Sequence, residues 1–320
     1  MPTLSVVIPL YNEEATVGEL HRRLTLVLDR VVPDYEVLLV NDGSGDGTAE
    51  ALGRIAVGGS RWRAIHFSRN FGHQAAVAAG LRYATGQAVV VMDADLQDPP
   101  ELLEAMLAKW REGFEVVYAQ RASREREGPL KRGLAWLYYR VLRAVAPVDI
   151  PTDTGDFCLM DRKVVEQLVA LPERNRYIRG LRAWVGFRQT SVQFERAARF
   201  AGEPKYTFRK SLSLGFNGII SFSKAPLRLA TWLGLAVSAL SFLLGIYFII
   251  QKLTLRYEIR GWASTVVIIL FLGGVQLLTI GIIGEYLSRI YDEVKQRPLY
   301  VVHHADNVFP TPQTEPAQSQ

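Results

Sequence analysis

Ala88-Val89-Val90-Val91-Met92-Asp93-Ala94-Asp95-Leu96-Gln97 sets an unbroken apolar run directly against two carboxylates and an amide. A run that is apolar at every position is a strand covered on both faces, as strands of a parallel sheet are. In open α/β sheets ligands gather beyond the carboxyl ends of such strands, which is where Asp93, Asp95 and Gln97 stand. Two carboxylates one residue apart can share a hard divalent cation with substrate phosphates, and Gln97 adds a neutral oxygen. Alone, such a pair is a weak motif, because acids at this point also cap the following helix. Asp98-Pro99-Pro100-Glu101 supplies that cap and a capping-box arrangement. Asp93 and Asp95 are thereby left without a structural duty.

The same pattern recurs upstream. Leu4 to Pro9, Val37 to Val40 and Ala64 to Phe67 are apolar runs, with a fifth from Phe114 to Tyr118. Between the first two lies a stretch with Val17, Leu20, Leu24, Val27, Leu28 and Val31 on one helical face, with Asn12 as its expected N-cap. Strands alternating with helical patterns predict βαβ units and an α/β domain with a mostly parallel sheet. The runs end in Pro9-Leu10-Tyr11-Asn12-Glu13, Asn41-Asp42-Gly43-Ser44 and Ser68-Arg69-Asn70, so four strand ends deliver polar groups to one edge. Asp42 is placed to accept bonds from a base or ribose, while Asp46 serves the next helix as N-cap. The loop Asn41 to Thr48 is not a Walker loop, and its glycine spacing fails the dinucleotide fingerprint.

Two further stretches change the class of the protein. Leu229 to Gln251 and Gly261 to Gly284 hold 23 and 24 residues without a charge. At about 1.5 Å per residue each reaches roughly 35 Å, enough to cross a hydrocarbon core. Lys205, Arg209, Lys210, Lys224 and Arg228 precede the first span, and Arg289, Lys295 and Arg297 follow the second. The loop between holds Lys252, Arg256 and Arg260 against Glu258, so the balance puts the large domain and the carboxyl tail in the cytoplasm. The expected divisions are a soluble domain over 1–204, juxtamembrane amphipathic helices over 205–228, a hairpin over 229–284 and a tail over 285–320 with a disordered end. Gly273, Gly274, Gly281 and Gly284 allow close helix packing and point to a homo-oligomer.

The remaining composition narrows the partners. The net charge of +5 at 320 residues is concentrated in a few stretches. On charge alone such stretches can meet nucleic acid, anionic lipid or a phosphorylated substrate equally well, although no nucleic-acid partner is expected of the chain as a whole. Arg121, Arg124, Arg126, Lys131 and Arg132 follow the fifth run, where Arg121 and Arg132 are candidates for an anionic acceptor headgroup. Lys205 to Lys210 precede an apolar set that reads as interfacial helix, so Lys205 and Arg209 are candidates for membrane anchoring. Cys158 is the single cysteine, which excludes an intrachain disulfide and suits a reducing compartment. No His/Cys grouping has zinc spacing, and His73 reads as a hydrogen-bonding residue.

Taken together, Val6 to Glu14, Asn41 to Ser44, Ser68 to Gln74 and Asp93 to Glu101 resemble glycosyltransferase family 2. Within it the chain is most similar to polyprenyl-phosphate glycosyltransferases, including the two carboxyl-terminal spans of the bactoprenol type. The resemblance implies a GT-A fold, a nucleoside-diphosphate sugar, Mg²⁺ or Mn²⁺, and inversion at the anomeric carbon. It implies that Pro9, Tyr11, Glu13 and Asp42 line the nucleoside pocket with Asp93 beside them, that Asp95 and Gln97 hold the metal, and that the region of Lys205 and Arg209 closes over the donor diphosphate. Thr154-Gly155-Asp156-Phe157 resembles the acceptor-side motif in which Asp156 is the proposed base. A phosphate monoester is already largely dianionic at neutral pH, so positioning is the role expected of Asp156 on physical grounds. UDP-glucose and undecaprenyl phosphate are the favoured partners at the inner membrane. GDP-mannose with a dolichyl-type acceptor, a processive polysaccharide synthase and a non-catalytic sensor are the alternatives.

Overall fold

The computed structural model describes residues 2–121, 154–174, 176–194, 225–255 and 261–308. They form two compact units: 2–121, 154–194 and 298–308 in one, 225–255 and 261–297 in the other. In the first unit the strands are β1 (Leu4–Leu10), β2 (Tyr35–Asn41), β3 (Trp62–Phe67), β4 (Ala88–Val91), β5 (Val116–Arg121), β6 (Thr154–Asp161), β7 (Gln189–Phe194) and β8 (Val302–Asp306). Its helices are α1 (Glu14–Val31), α2 (Thr48–Val57), α3 (His73–Tyr83), α4 (Leu102–Arg111), α5 (Arg162–Ala170) and α6 (Ile178–Trp184).

All eight strands form one sheet in the order β7-β5-β6-β4-β1-β2-β3-β8. β4, β1, β2 and β3 are mutually parallel, and β1 and β2 are buried at every position, as their mostly apolar character demands, with buried Ser5 paired to Glu36. Leu4, Val6, Ile8 and Leu10 face a core shared with Val17, Leu20, Leu24 and Leu28 of α1 and with Leu103, Met106 and Leu107 of α4. On the opposite face α3 lies against β1 so closely that a Cβ on Gly80 would sit 3.1 Å from Cβ of Val7.

Three strands carry no clear signal in the sequence. β6 runs antiparallel between β4 and β5, β7 extends the sheet beside β5, and β8 pairs antiparallel with β3. The tail expected over 285–320 therefore divides: a helix continues to Lys295, and Val302–Asp306 returns to the sheet of the first unit. The disordered end expected there falls outside the described residues.

Two cap assignments need correction. The N-cap of α1 is Glu13, not Asn12; Asn12 adopts φ 54°, and its Oδ1 accepts from Gly45 N–H at 2.9 Å. The N-cap of α4 is Glu101 without a side-chain cap bond. The amides of Leu102 and Leu103 donate to the carbonyls of Pro99 and Pro100. Gly47 is the N-cap of α2, yet Asp46 Oδ1 does accept from Thr48 N–H at 3.1 Å.

The second unit is a pair of helices, α7 (Ala225–Leu255) and α8 (Trp262–Lys295). Ala230–Tyr247 and Val267–Lys295 within them are long and apolar enough to cross a membrane, and only 6% and 0% of the residues in those windows are buried. A core helix of a soluble protein would bury such a surface, so exposed Trp232, Phe242, Leu270 and Leu277 fit contact with lipid. Both helices overrun the charge-free stretches. α8 does so with Glu285 and Arg289, 3.4 Å apart, on one face. Of the expected juxtamembrane helices, 205–224 lie outside the described residues, and 225–228 already belong to α7.

Candidate active site

The polar ends of β1, β2 and β4 lie along one edge of the sheet, and the antiparallel β6 delivers its first residues to the same edge. Val91 pairs with Cys158 across β4 and β6, so the register continued by two residues puts Asp93 opposite Asp156. Asp156 Oδ2 is 3.1 Å from His73 Nε2, and the same nitrogen is 3.8 Å from Asp93 Oδ1. Arg179 donates to Asp156 from Nε at 2.6 Å and from an Nη at 3.1 Å, a two-pronged contact. Gln74 on α3 accepts from the Ile178 amide at 3.0 Å, which ties the start of α6 to the start of α3 and sets Arg179 in reach.

These contacts decide the charge states. Burial alone would raise the pKa of Asp156, but Arg179 and His73 outweigh it and hold the carboxyl far below the usual range. Burial would likewise discharge His73, yet the Asp156 hydrogen bond and the charges of Asp156 and Asp93 raise its pKa. Asp93 goes the other way. Burial, then the Asp156 and Asp95 carboxylates, push it up against the pull of His73 and Arg179. One edge thus holds a firmly ionised acid and a neighbouring acid that resists ionisation. Perturbation of this kind marks functional sites more often than surfaces.

Asp95 and Gln97 stand in a tight turn. Asp95 Oδ1 accepts from Gln97 N–H at 3.1 Å, and Leu96 between them has φ 56°, a conformation that a side chain of its size rarely adopts. The turn sets Asp95 beside Asp93, and an Asp carboxylate with a Gln amide is a donor pair of a kind that suits a hard divalent cation. A second group, His66, His304 and Asp306, brings ligand atoms within 4.8 Å of one another. Asn41 argues against a metal there. Its Oδ1 takes the Ser44 amide at 3.0 Å, so its NH₂ faces His66 Nδ1 at 3.1 Å. The ring proton of neutral His66 then sits on Nε2, which has no lone pair for a metal and points toward Asp306 Oδ2 at 3.4 Å.

Asp42 closes the edge on the other side. Its oxygens accept from Phe71 N–H at 2.7 Å and Gly72 N–H at 2.9 Å, locking the loop after β2 to the loop after β3. Burial raises its pKa, and those two amides oppose the rise. Gly43 has φ 64°, and a Cβ on it would lie 2.6 Å from Asn70 N. That fit between the loops admits only glycine.

A profile of Glycosyl transferase family 2 matches residues 5–169, and one of the GtrB C-terminal hairpin matches 225–290. The chain belongs to glycosyl transferase family 2. This family 2 chain is 49% identical to the glycosyltransferase YkcC of Bacillus subtilis over 93% of its own length and 92% of that protein. It is 41% identical to the bactoprenol glucosyl transferase of Shigella phage SfII over 93% and 97% of the two chains. Among solved structures, glucosyl-3-phosphoglycerate synthase of Mycobacterium tuberculosis, with Mn²⁺, UDP-glucose and phosphoglyceric acid, aligns at a TM-score of 0.47. It is 21% identical and covers 70% of this chain and 79% of that one.

The family 2 site gathers most of the residues singled out in its sequence. Pro9 is buried in β1, Tyr11 is exposed just beyond it, and Asp42, Asp93, Asp95, Gln97 and Asp156 occupy the common edge. Glu13 stands further back: its amide donates to Thr48 Oγ1 at 2.9 Å and its Oε2 accepts from Thr16 at 3.1 Å. Arg121 ends β5 with its side chain outside the description, and Arg132, Lys205 and Arg209 lie outside the described residues. Arg179 was not foreseen. It stands in a seven-residue helix with arginines at 179 and 182, where nothing in the sequence tells the outward one from its neighbour.

Proposed function

We propose that this glycosyltransferase moves glucose from UDP-glucose to a polyprenyl phosphate, undecaprenyl phosphate foremost, at the cytoplasmic face of the inner membrane. The observation that carries this reading is the likeness to bactoprenol glucosyl transferases along nearly the whole chain, hairpin included. The acceptor's chain stays in the bilayer, which gives the apolar hairpin its purpose. The glycines at 273, 274, 281 and 284 support a homo-oligomer formed through the same helices.

In this reading Pro9, Tyr11 and Asp42 hold the nucleoside, with Glu13 behind them and Asp93 beside the sugar. Asp95 and Gln97 are the metal arm. When bound, Mg²⁺ or Mn²⁺ there supplies neutralisation of the departing diphosphate, shared with Lys205 and Arg209. An oxygen of the acceptor phosphate forms the new bond to the anomeric carbon as the bond to the diphosphate oxygen breaks. The electron pair leaves with UDP, and the configuration inverts. The phosphate dianion needs no base, and a carboxylate held as acidic as Asp156 is a poor one. Asp156 instead fixes His73 and Arg179 as cations, and these join Arg121 and Arg132 in receiving the acceptor phosphate.

Membranes containing the full chain, incubated with radiolabelled UDP-glucose and Mg²⁺, test the reading. Label that enters the lipid phase and is released by mild acid is the expected result. Label in polymer, or donor binding without transfer, would sink it. GDP-mannose and other UDP-sugars run in parallel decide the sugar.

A further inference from the structure

The segment that follows α8 is built into the walls of the donor pocket. Tyr300 stacks on Phe67 with ring centres 4.9 Å apart and planes 9° from parallel. Phe67 in turn meets Phe71 edge-on at 5.8 Å, and the Arg69 guanidinium covers the Phe71 ring at 4.1 Å. Ser68 N–H donates to the Val301 carbonyl at 3.0 Å. Phe71 N–H is one of the two amides that hold Asp42. A continuous stack thus runs from Tyr300 to the peptide that fixes the Asp42 carboxylate.

The other wall is braced from the same segment. His304 lies flat on His66 with ring centres 4.1 Å apart, and His66 bonds the Asn41 amide. Asn41 orients Ser44, and Ser44 Oγ accepts from the Asn12 amide at 3.0 Å. Residues 300–304 therefore bear on both loops that meet at Asp42.

We propose that this returning segment positions the nucleoside-binding loops, with Tyr300 as its principal positioning residue and His304 as its second contact. The inference rests on the reading above that Asp42 takes the donor nucleoside. The plain alternative is that β8 only covers the open edge of β3. An edge cover lowers thermal stability when weakened and leaves substrate preference alone. A positioning segment changes donor affinity in particular.

The test uses the full chain in detergent or membranes as Tyr300→Ala, Tyr300→Phe and His304→Ala. Titration with UDP alone reads the nucleoside pocket, and steady-state kinetics reads the two substrates separately. Tyr300→Ala is expected to weaken UDP binding and raise the KM for UDP-glucose about threefold to tenfold, the range of one aromatic pair. The KM for the polyprenyl phosphate and kcat stay within about twofold. Tyr300→Phe keeps the ring and restores wild-type values. His304 is exposed, so His304→Ala folds even where Tyr300→Ala does not, and it is expected to weaken UDP binding in the same direction. Donor and acceptor KM rising together, or a lowered Tm with UDP affinity unchanged in both alanine variants, would overturn the inference. A wild-type chain that binds no UDP would instead overturn the donor reading, and this inference with it.

Discussion

Asp156 and Asp93 stand across one register step and are driven in opposite directions by their neighbours. The Arg179 guanidinium and His73 hold the Asp156 carboxyl far below the usual carboxylate range, so it is ionised at neutral and mildly acidic pH. Asp156→Asn is expected to lower kcat about a hundredfold, by loosening Arg179 and His73. An acid limb should nevertheless persist in the variant, because the limb does not belong to Asp156, although its position shifts once the Asp156 charge that helps raise Asp93 is gone. Asp93 is the candidate for that limb. Its pKa is raised above the ordinary 3.8, so activity is lost as pH falls through a point above that value. A kcat/KM profile against pH checks both statements. The sign for stability is opposite to that of a paired carboxylate. A raised pKa means the folded state resists the charge, so Asp93→Asn should raise Tm at pH 7 by a degree or two. The gain shrinks with acidification and disappears below the unfolded value, where both proteins are uncharged at this position. The effect is small because 40% of the Asp93 side chain is open to solvent, which screens the charge even though the dense surroundings of the carboxylate raise its pKa. A lower Tm for Asp93→Asn at pH 7 would contradict this account.

At the level of elements, two close approaches carry the design. The loops after β2 and β3 touch at Gly43, where both a positive φ and the Asn70 amide exclude a side chain. Gly43→Ala should weaken UDP binding tenfold or more by forcing the Asp42 loop off its partner, with strain of about 1–3 kcal/mol. Gly80 brings α3 against Val7, and Gly80→Ala should cost about 1–3 kcal/mol by overpacking while leaving donor and acceptor KM near wild type. Chemical denaturation with parallel kinetics separates the two. The elements also explain which strands are legible. β1 to β4 form a parallel block and each contains a largely apolar run, so their runs announce themselves. β7 reads Gln-Thr-Ser-Val-Gln-Phe and β8 reads Val-His-His-Ala-Asp, both at the sheet's margins, where one side is open and polar residues are tolerated. Asn12 was misassigned for a related reason. A cap is a local motif, but Asn12 gives its oxygen to Gly45, thirty-three residues away.

For the whole molecule, the chain leaves the catalytic unit for the apolar hairpin and then returns to it as β8. Leu277 is 73% exposed in the middle of α8, so Leu277→Arg would set a charge in the hydrocarbon at about 2.5–3.5 kcal/mol. The expected outcome is a smaller fraction of protein that resists alkaline extraction from membranes. An unchanged fraction would count against the spanning reading.

Residue order alone sufficed for the α/β class, for the edge where Asp42, Asp93 and Asp95 gather, and for the two long apolar helices. Each of these rests on periodicity or on long apolar runs, which are properties of neighbouring residues. Tertiary structure decided that Asp156 lies opposite Asp93, that Arg179 is its partner and that Tyr300 reaches Phe67. Those contacts join positions 23 to more than 200 residues apart, and they depend on strand register and helix placement. Neither is encoded in local pattern, because both are set by how whole elements bury their faces against one another.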